Sequence, residues 1–241
     1  MTSLASPVIA TEGIVAGYGR KAVLTGIDIQ VHQGEIVACV GHNGAGKSTL
    51  LKVLFGCIKT WQGRIMIDGR DLECARPREL LRRGVILVPQ GNHVLDDLTV
   101  FENLTLRSLT ARGKLPSNTA FDRVWSIFPF LKGRTSEKAG ILSGGEKQCL
   151  ALASAFVSEP RILLLDEPSL GLAPQMAADV LERLQTLNRD TGLTILVVEQ
   201  RVRNVLRISN RVYVLKGGQV SHEGPAQELL ENEVKLRSVF L

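Results

Sequence analysis

Gly41-His42-Asn43-Gly44-Ala45-Gly46-Lys47-Ser48-Thr49 follows the apolar run Ile36-Val37-Ala38-Cys39-Val40 and precedes Leu50-Leu51-Lys52-Val53-Leu54. The order is a buried strand, a glycine loop and a helix with apolar spacing. It fits G-x-x-x-x-G-K-[ST], the phosphate-binding loop, in the context that motif requires. Glycine reaches backbone conformations closed to other residues, so successive N–H groups turn inward around a phosphate. A helix beginning near Gly46 adds unpaired N–H donors and the positive end of its dipole. Lys47 reaches the outer phosphates, and the Ser48 hydroxyl suits a Mg²⁺ bridging them. A glycine-rich turn with an incidental lysine would not need this strand and helix around it. The stretch predicts binding of a nucleoside triphosphate.

The 241 residues suffice for a full core, as one large domain or one domain with a subdomain. A hydrophobic content of 44% and a charged content of 22% are those of an ordinary globular protein. No apolar stretch has the length of a bilayer span, and no basic-then-apolar secretion signal opens the chain, which predicts cytoplasmic residence. Cys39, Cys57, Cys74 and Cys149 are scattered, with no C-x-x-C pair, and read as small hydrophobes in a reducing compartment. The net charge of +5 is small for the length. Arg76, Arg78, Arg82 and Arg83 form one basic cluster and Arg203, Arg207 and Arg211 another at helical spacing, both read as solvated faces. Aromatic residues make up only 5% and offer no stacking platform, which argues against a nucleic-acid partner.

The first segment reads as antiparallel β. Ile27, Ile29 and Val31 alternate with polar residues before a His32-Gln33-Gly34 turn, and Ile65 and Ile67 alternate after Gly63. Tyr18, between Gly17 and Gly19, is assigned to a loop ahead of these strands. Val85-Ile86-Leu87-Val88 is a short buried strand ending at Pro89-Gln90. Residues 91–159 are mostly helical in pattern, broken by Gly113, Pro116, Pro129 and Gly133, and read as an inserted helical subdomain between segments 1–90 and 160–241. Strand character returns at Ile162–Leu165 and Thr194–Val198, with Met176, Val180, Leu184 and Leu187 marking the buried face of the helix between. Strands alternating with helices predict a mostly parallel sheet covered on both faces. Arg211 to His222 reads as a final hairpin turning at Gly217-Gly218.

Two further stretches carry chemistry. The strand Ile162–Leu165 delivers Asp166 and Glu167 at its carboxyl end, where ligands gather in open α/β sheets. Asp166 is placed to hold Mg²⁺, and Glu167 to orient or deprotonate the attacking water. Leu142-Ser143-Gly144-Gly145-Glu146 contains a capping box, Ser143 with Glu146, which opens a helix through Leu150 and Leu152. A capping box does not need two glycines between its ends. The glycines expose backbone N–H groups at a helix start, a second anion site, and suggest that ATP held by a partner chain uses it.

Gly41–Thr49, Gln90, Leu142–Glu146 and Ile162–Glu167 stand in the order and approximate spacing of an ATP-binding cassette (ABC) ATPase, and the chain resembles that family over nearly its whole length. The resemblance implies a P-loop NTPase (RecA-like) α/β core with an antiparallel β subdomain and an inserted α-helical subdomain. It implies ATP and Mg²⁺ as ligands. Tyr18 would stack on adenine, Gln90 would sense Mg²⁺ and the γ-phosphate, and Ser143, Gly144 and Gly145 would clamp ATP held by the facing subunit. Glu167-Pro168-Ser169-Leu170-Gly171-Leu172-Ala173-Pro174, Val198-Glu199-Gln200 and the closing Val239-Phe240-Leu241 resemble one branch, the LivF-type ATPase of branched-chain or hydrophobic amino acid importers. Importers of urea or amides share much of that pattern.

Two positions depart from the general ABC pattern. Gln200 stands where most members carry a histidine contacting the γ-phosphate, and Ala173 where many carry an aspartate at the subunit interface. Glutamine donates a hydrogen bond but carries no charge and shuttles no proton. The resemblance therefore implies a motor subunit, peripheral on the inner face of the plasma membrane. Its partners would be membrane permease subunits, a second cassette ATPase (a heteromer, with a homodimer as the other arrangement) and, indirectly, a solute-binding protein. Two other classes compete: a soluble cassette ATPase acting on ribosomes or DNA, and a weakly catalytic regulatory subunit suggested by Gln200 and Ala173. The single cassette without a heptad run opposes the first. Lys47, Asp166 and Glu167 together oppose the second.

Overall fold

Strand β3 (Ile36–Gly41) is buried at every residue, the pattern of a strand covered on both faces. The computed structural model describes residues 6–72, 76–91 and 93–240, the last without its side chain. It places β3 inside a six-stranded sheet, parallel to β8 (Thr194–Glu199) on one side and β9 (Arg211–Lys216) on the other. Beyond β8 the parallel run continues through β7 (Ile162–Asp166) and β6 (Val85–Val88), while β10 (Gln219–Pro225) closes the opposite edge antiparallel to β9. A second sheet, antiparallel, has the order β2-β1-β4-β5 and comprises β1 (Ile9–Tyr18), β2 (Lys21–Val31), β4 (Gln62–Ile67) and β5 (Arg70–Asp71). The two sheets meet where the Thr25 N–H donates to Gly218 O at 2.8 Å.

The helices are α1 (Lys47–Leu54), α2 (Pro77–Arg82), α3 (Val100–Arg112), α4 (Asn118–Ile127), α5 (Pro129–Lys132), α6 (Gly144–Phe156), α7 (Pro174–Thr191), α8 (Val202–Ile208), α9 (Ala226–Glu231) and α10 (Glu233–Phe240). Alternation along β3 divides the core in two. Ile36, Ala38 and Val40 face a cluster that includes Leu104, Leu150, Leu152 and Leu184, whereas Val37 and Cys39 face one with Leu50, Leu54, Ile27 and Ile67. Segment 91–159 therefore has no separate core among the described residues. Its helix α6, buried at each residue from Gln148 to Phe156, packs into the same apolar layer as the sheet.

Several expectations are corrected. Strand β1 went unread because register shifts near Thr11, Ile14 and Ala16 break its two-residue period. Tyr18 is the last residue of that strand, paired with Lys21, rather than a loop residue ahead of the sheet. Helical structure in segment 91–159 starts only at Val100, where a Thr99–Glu102 capping box opens α3, and residues 93–99 are described without helix. Met176 is 36% exposed, and the buried stripe of α7 runs instead through Ala177, Val180, Leu181, Leu184 and Leu187. Arg211 does not continue the helical row of Arg203 and Arg207, since α8 ends at Ile208. It opens β9 and pairs with Glu35 and Glu223. Burial pushes the Cys39 and Cys149 thiols up, to about 12 and about 11, as packed hydrophobes. Cys57 is exposed, and Cys74 and Leu241 lie outside the described residues.

Gly41 ends β3 against the neighbouring strand: a Cβ there would sit 2.3 Å from Leu215 O. That oxygen is backbone and cannot retreat without breaking the β3–β9 ladder. Gly41→Ala is therefore expected to lower stability by about 1–3 kcal/mol, read as a fall in the urea midpoint at unchanged slope.

Candidate active site

The loop after β3 closes on itself. Ala45 N–H donates to His42 O at 3.1 Å, and Ala45 O accepts from Gly218 N–H of the last hairpin at 3.1 Å. Gly46 caps α1 with a left-handed φ of 105°, which strains any other residue. Lys47 is 5% exposed. Its ammonium donates to Gly41 O at 2.9 Å and His42 O at 3.2 Å and lies 3.8 Å from Glu167 Oε1. An ammonium bound to neutral carbonyls gains by exchanging them for charged phosphate oxygens.

The parallel register brings the end of β7 beside this loop. Ser48 Oγ donates to Asp166 Oδ1 at 2.9 Å. Burial raises the Asp166 carboxyl above the usual carboxylate range; the Ser48 hydrogen bond draws it back, and the Glu167 charge raises it further. Glu167 is 5% exposed and adopts a left-handed φ of 49°, a conformation that costs a residue with a side chain about 1–3 kcal/mol. Its own N–H donates to Val198 O, and both carboxylate oxygens are gripped by amides: Gln90 Nε2 donates to Oε2 at 3.1 Å and Gln200 Nε2 to Oε1 at 2.8 Å. Two chain-distant segments, at Gln90 and at Val198–Gln200, thus fix the carboxylate of a residue with a strained backbone.

A cavity of about 660 Å³ opens over these groups, lined by Tyr18, Asn43, Lys47, Gln90, Glu167 and Gln200 among others. Gly44, Gly46, Ser48 and Thr49 also line it, while Gly41, His42 and Ala45 form the loop beneath. Sequence reasoning missed Lys21 and Gly217, which line the same cavity. Gly217 was legible only as a turn residue, and nothing in the sequence places that turn over the loop.

Ser143, Gly144, Gly145 and Glu146 do not line this cavity. The capping box is present: Ser143 Oγ accepts from Glu146 N–H, and Glu146 Oε2 accepts from Ser143 N–H at 2.8 Å. The other Glu146 oxygen pairs with Arg134 Nη1 at 2.6 Å. The Ser143 N–H first, and then Arg134, hold the Glu146 carboxyl below its ordinary range. Gly144 is exposed, whereas a Cβ on Gly145 would meet the side chains of Met176 at 2.8 Å and Leu172 at 3.4 Å.

Among the described residues no three His, Cys, Asp or Glu side chains gather as a metal cage. The Ser48 hydroxyl and the Asp166 carboxylate are hard oxygen donors already in contact. They fit Mg²⁺, a cation that keeps phosphate oxygens and water for most of its shell.

A phosphate loop at the carboxyl edge of a parallel sheet, with an adjoining antiparallel sheet and an acidic pair closing β7, defines a P-loop ATPase. The chain belongs to the ABC transporter family, whose sequence profile matches residues 24–170. It is 39% identical over 224 residues to the high-affinity branched-chain amino acid transport ATP-binding protein BraG of Pseudomonas aeruginosa, covering 93% of this chain and 95% of that protein. It is 38% identical to the probable branched-chain amino acid transport ATP-binding protein LivF of Archaeoglobus fulgidus, with 94% and 95% covered. Among solved structures, a dimeric ATP-binding cassette bound to ADP and phosphate after hydrolysis superposes with a TM-score of 0.80 at 25% identity, covering 90% of this chain and 98% of that one.

ATP at about 100 times its Kd is expected to stabilise the chain by about 2.7 kcal/mol, seen as a rise in the thermal midpoint. Lys47→Ala should abolish that rise, read against the variant's own unliganded midpoint.

Proposed function

We propose that this chain is the ATP-hydrolysing motor subunit of an importer for branched-chain or other hydrophobic amino acids. The carrying observation is its likeness, at 39% and 38% identity over nearly full length, to two branched-chain amino acid transport ATP-binding proteins. In this reading Tyr18 stacks on the base, and residues 41–49 cradle the phosphates, with Lys47 leaving Gly41 O and His42 O for the outer phosphate oxygens. Ser48 and Asp166 would hold Mg²⁺, with Gln90 nearby. The chemistry that cation would supply is neutralisation of charge developing on the phosphates. Glu167 orients the attacking water and takes its proton. Gln90 and Gln200 keep the carboxylate aimed while the water oxygen bonds to the γ-phosphorus and ADP departs. Gly144 and Gly145 offer N–H groups to ATP on a facing cassette, with Ser143 and Glu146 setting the helix start.

Residues 91–159 act as the helical subdomain that carries this second site. The membrane contact we assign to a groove of about 330 Å³ between α1, α2 and α3, lined by Phe55, Leu81, Leu87, Pro89, Arg107 and Ala111 among others. Among the described residues no helix is long and apolar enough to cross a membrane, so the permease is a separate chain in this reading. Pro89 in the groove adjoins Gln90, which touches Glu167. A subunit seated there is therefore one residue from the hydrolytic carboxylate. The chain would sit on the cytoplasmic side of the membrane beside a second cassette, with a solute-binding protein engaging the permease.

Gentle solubilisation of native membranes with a tagged chain tests the assembly. Two multi-span permease subunits and a second cassette ATPase are expected by mass spectrometry. Ribosomal or DNA-associated proteins, or the chain alone, would overturn the importer reading. In the purified complex, Glu167→Gln should cut turnover by about 10²- to 10⁴-fold while ATP still binds. Gln200→His should raise the turnover of the site that contains it, and an unchanged rate would show that glutamine does not slow hydrolysis.

A further inference from the structure

Glu199 ends β8, the strand between the phosphate-loop strand and the Asp166 strand, and pairs in register with Val40. It is 2% exposed, and among the described residues no ion pair forms to its carboxylate. A buried acid without a cation is costly unless hydrogen bonds satisfy it. Here backbone donors do so. Oε1 accepts from Ser169 N–H at 2.9 Å, and Oε2 accepts from Gln200 N–H at 3.1 Å. Burial raises this carboxyl above its ordinary range, while Ser169 and the N–H groups of Gln200 and Arg201 draw it back.

The two donors belong to the two loops that converge on Glu167. Ser169 lies two residues beyond Glu167, and the Gln200 side chain donates to Glu167 Oε1. The loop after β7 has two further holds: Gln148 Nε2 on Pro168 O and Arg201 Nη2 on Leu172 O, each at 3.2 Å. The first holds the Glu167 loop to α6; the second also spans the two loops, but at Leu172, five residues past Glu167. The Glu199 carboxylate, with one acceptor oxygen for each, joins them at Ser169 and Gln200, beside Glu167.

We propose that Glu199 is a positioning residue for hydrolysis, its buried carboxylate tying the Glu167 loop to the Gln200 loop so that the Gln200 amide meets Glu167. This rests on reading Glu167 as the group that acts on water. Glu199→Gln preserves shape and the acceptor for Ser169 N–H. It sets an amide donor against Gln200 N–H, so the tie fails on one side.

The test is a double-mutant cycle on ATP turnover in the assembled complex, with Glu199→Gln, Gln200→Ala and the pair. Glu199→Gln is expected to lower kcat by about 10- to 100-fold with KM for ATP within about twofold. Added to Gln200→Ala, it should lower kcat no further, because both act through one contact. An unchanged kcat, a loss confined to KM, or effects that multiply independently would overturn the proposal. Glu199→Asp, which keeps both acceptor oxygens on a shorter arm, should recover part of the lost turnover. If both variants fail to fold, Glu199 is a scaffold residue and the proposal falls. If Glu167→Gln turns over normally, the reading of Glu167 falls, while the Glu199–Gln200 coupling is still decided by the cycle.

Discussion

Hydrogen bonding of β3 to β8 and β9 joins residues separated by more than 150 positions in the chain, and the site depends on that pairing. Parallel ladders put every strand's carboxyl end on one edge. Once β3 lies beside β8, and β8 beside β7, the glycine loop, the Gln200 loop and the Asp166–Glu167 pair must meet there. The last hairpin reaches the same edge through β9, which is why Gly218 holds the loop carbonyl of Ala45. The apolar run at each strand supplies the energy, because β3, β7 and β8 are buried at every position and lose that burial if the sheet opens.

At that edge, polar groups are held by one another rather than by solvent. Lys47 rests on its own loop's carbonyls, Ser48 on Asp166, and Glu167 on two glutamines. Such networks are costly when partly satisfied and rigid when complete. The left-handed backbone of Glu167 belongs to the same economy. It is the kind of strain that persists where surrounding contacts over-determine a conformation, and the holds on Glu167 N–H, on both its carboxylate oxygens and on Pro168 O supply such contacts.

Much of this was legible in the sequence because it is local. The phosphate loop announces itself by spacing, the buried strands by unbroken apolar runs, and the Ser143 cap by its Glu146 partner three residues on. What escaped was tertiary or irregular. Strand β1 has a period broken by bulges, and on α7 the buried face holds Val180, Leu184 and Leu187 as read but begins at Ala177 rather than Met176. Arg203, Arg207 and Arg211 keep helical spacing across the end of a helix, which spacing cannot report. The meeting of Gln90 with Glu167 spans 77 positions and that of Gln200 with Glu167 spans 33. The residues were identifiable one by one, and their contact was not.

Both side chains that grip Glu167 are carboxamides. Neither gains nor loses a proton across the range in which an imidazole changes charge. Acidification of the surrounding medium toward pH 6 therefore leaves the two holding bonds intact. A cassette with histidine in place of Gln200 would see that grip reset by the same change. Any sensitivity of these two contacts to proton concentration must then come from groups other than the amides that make them.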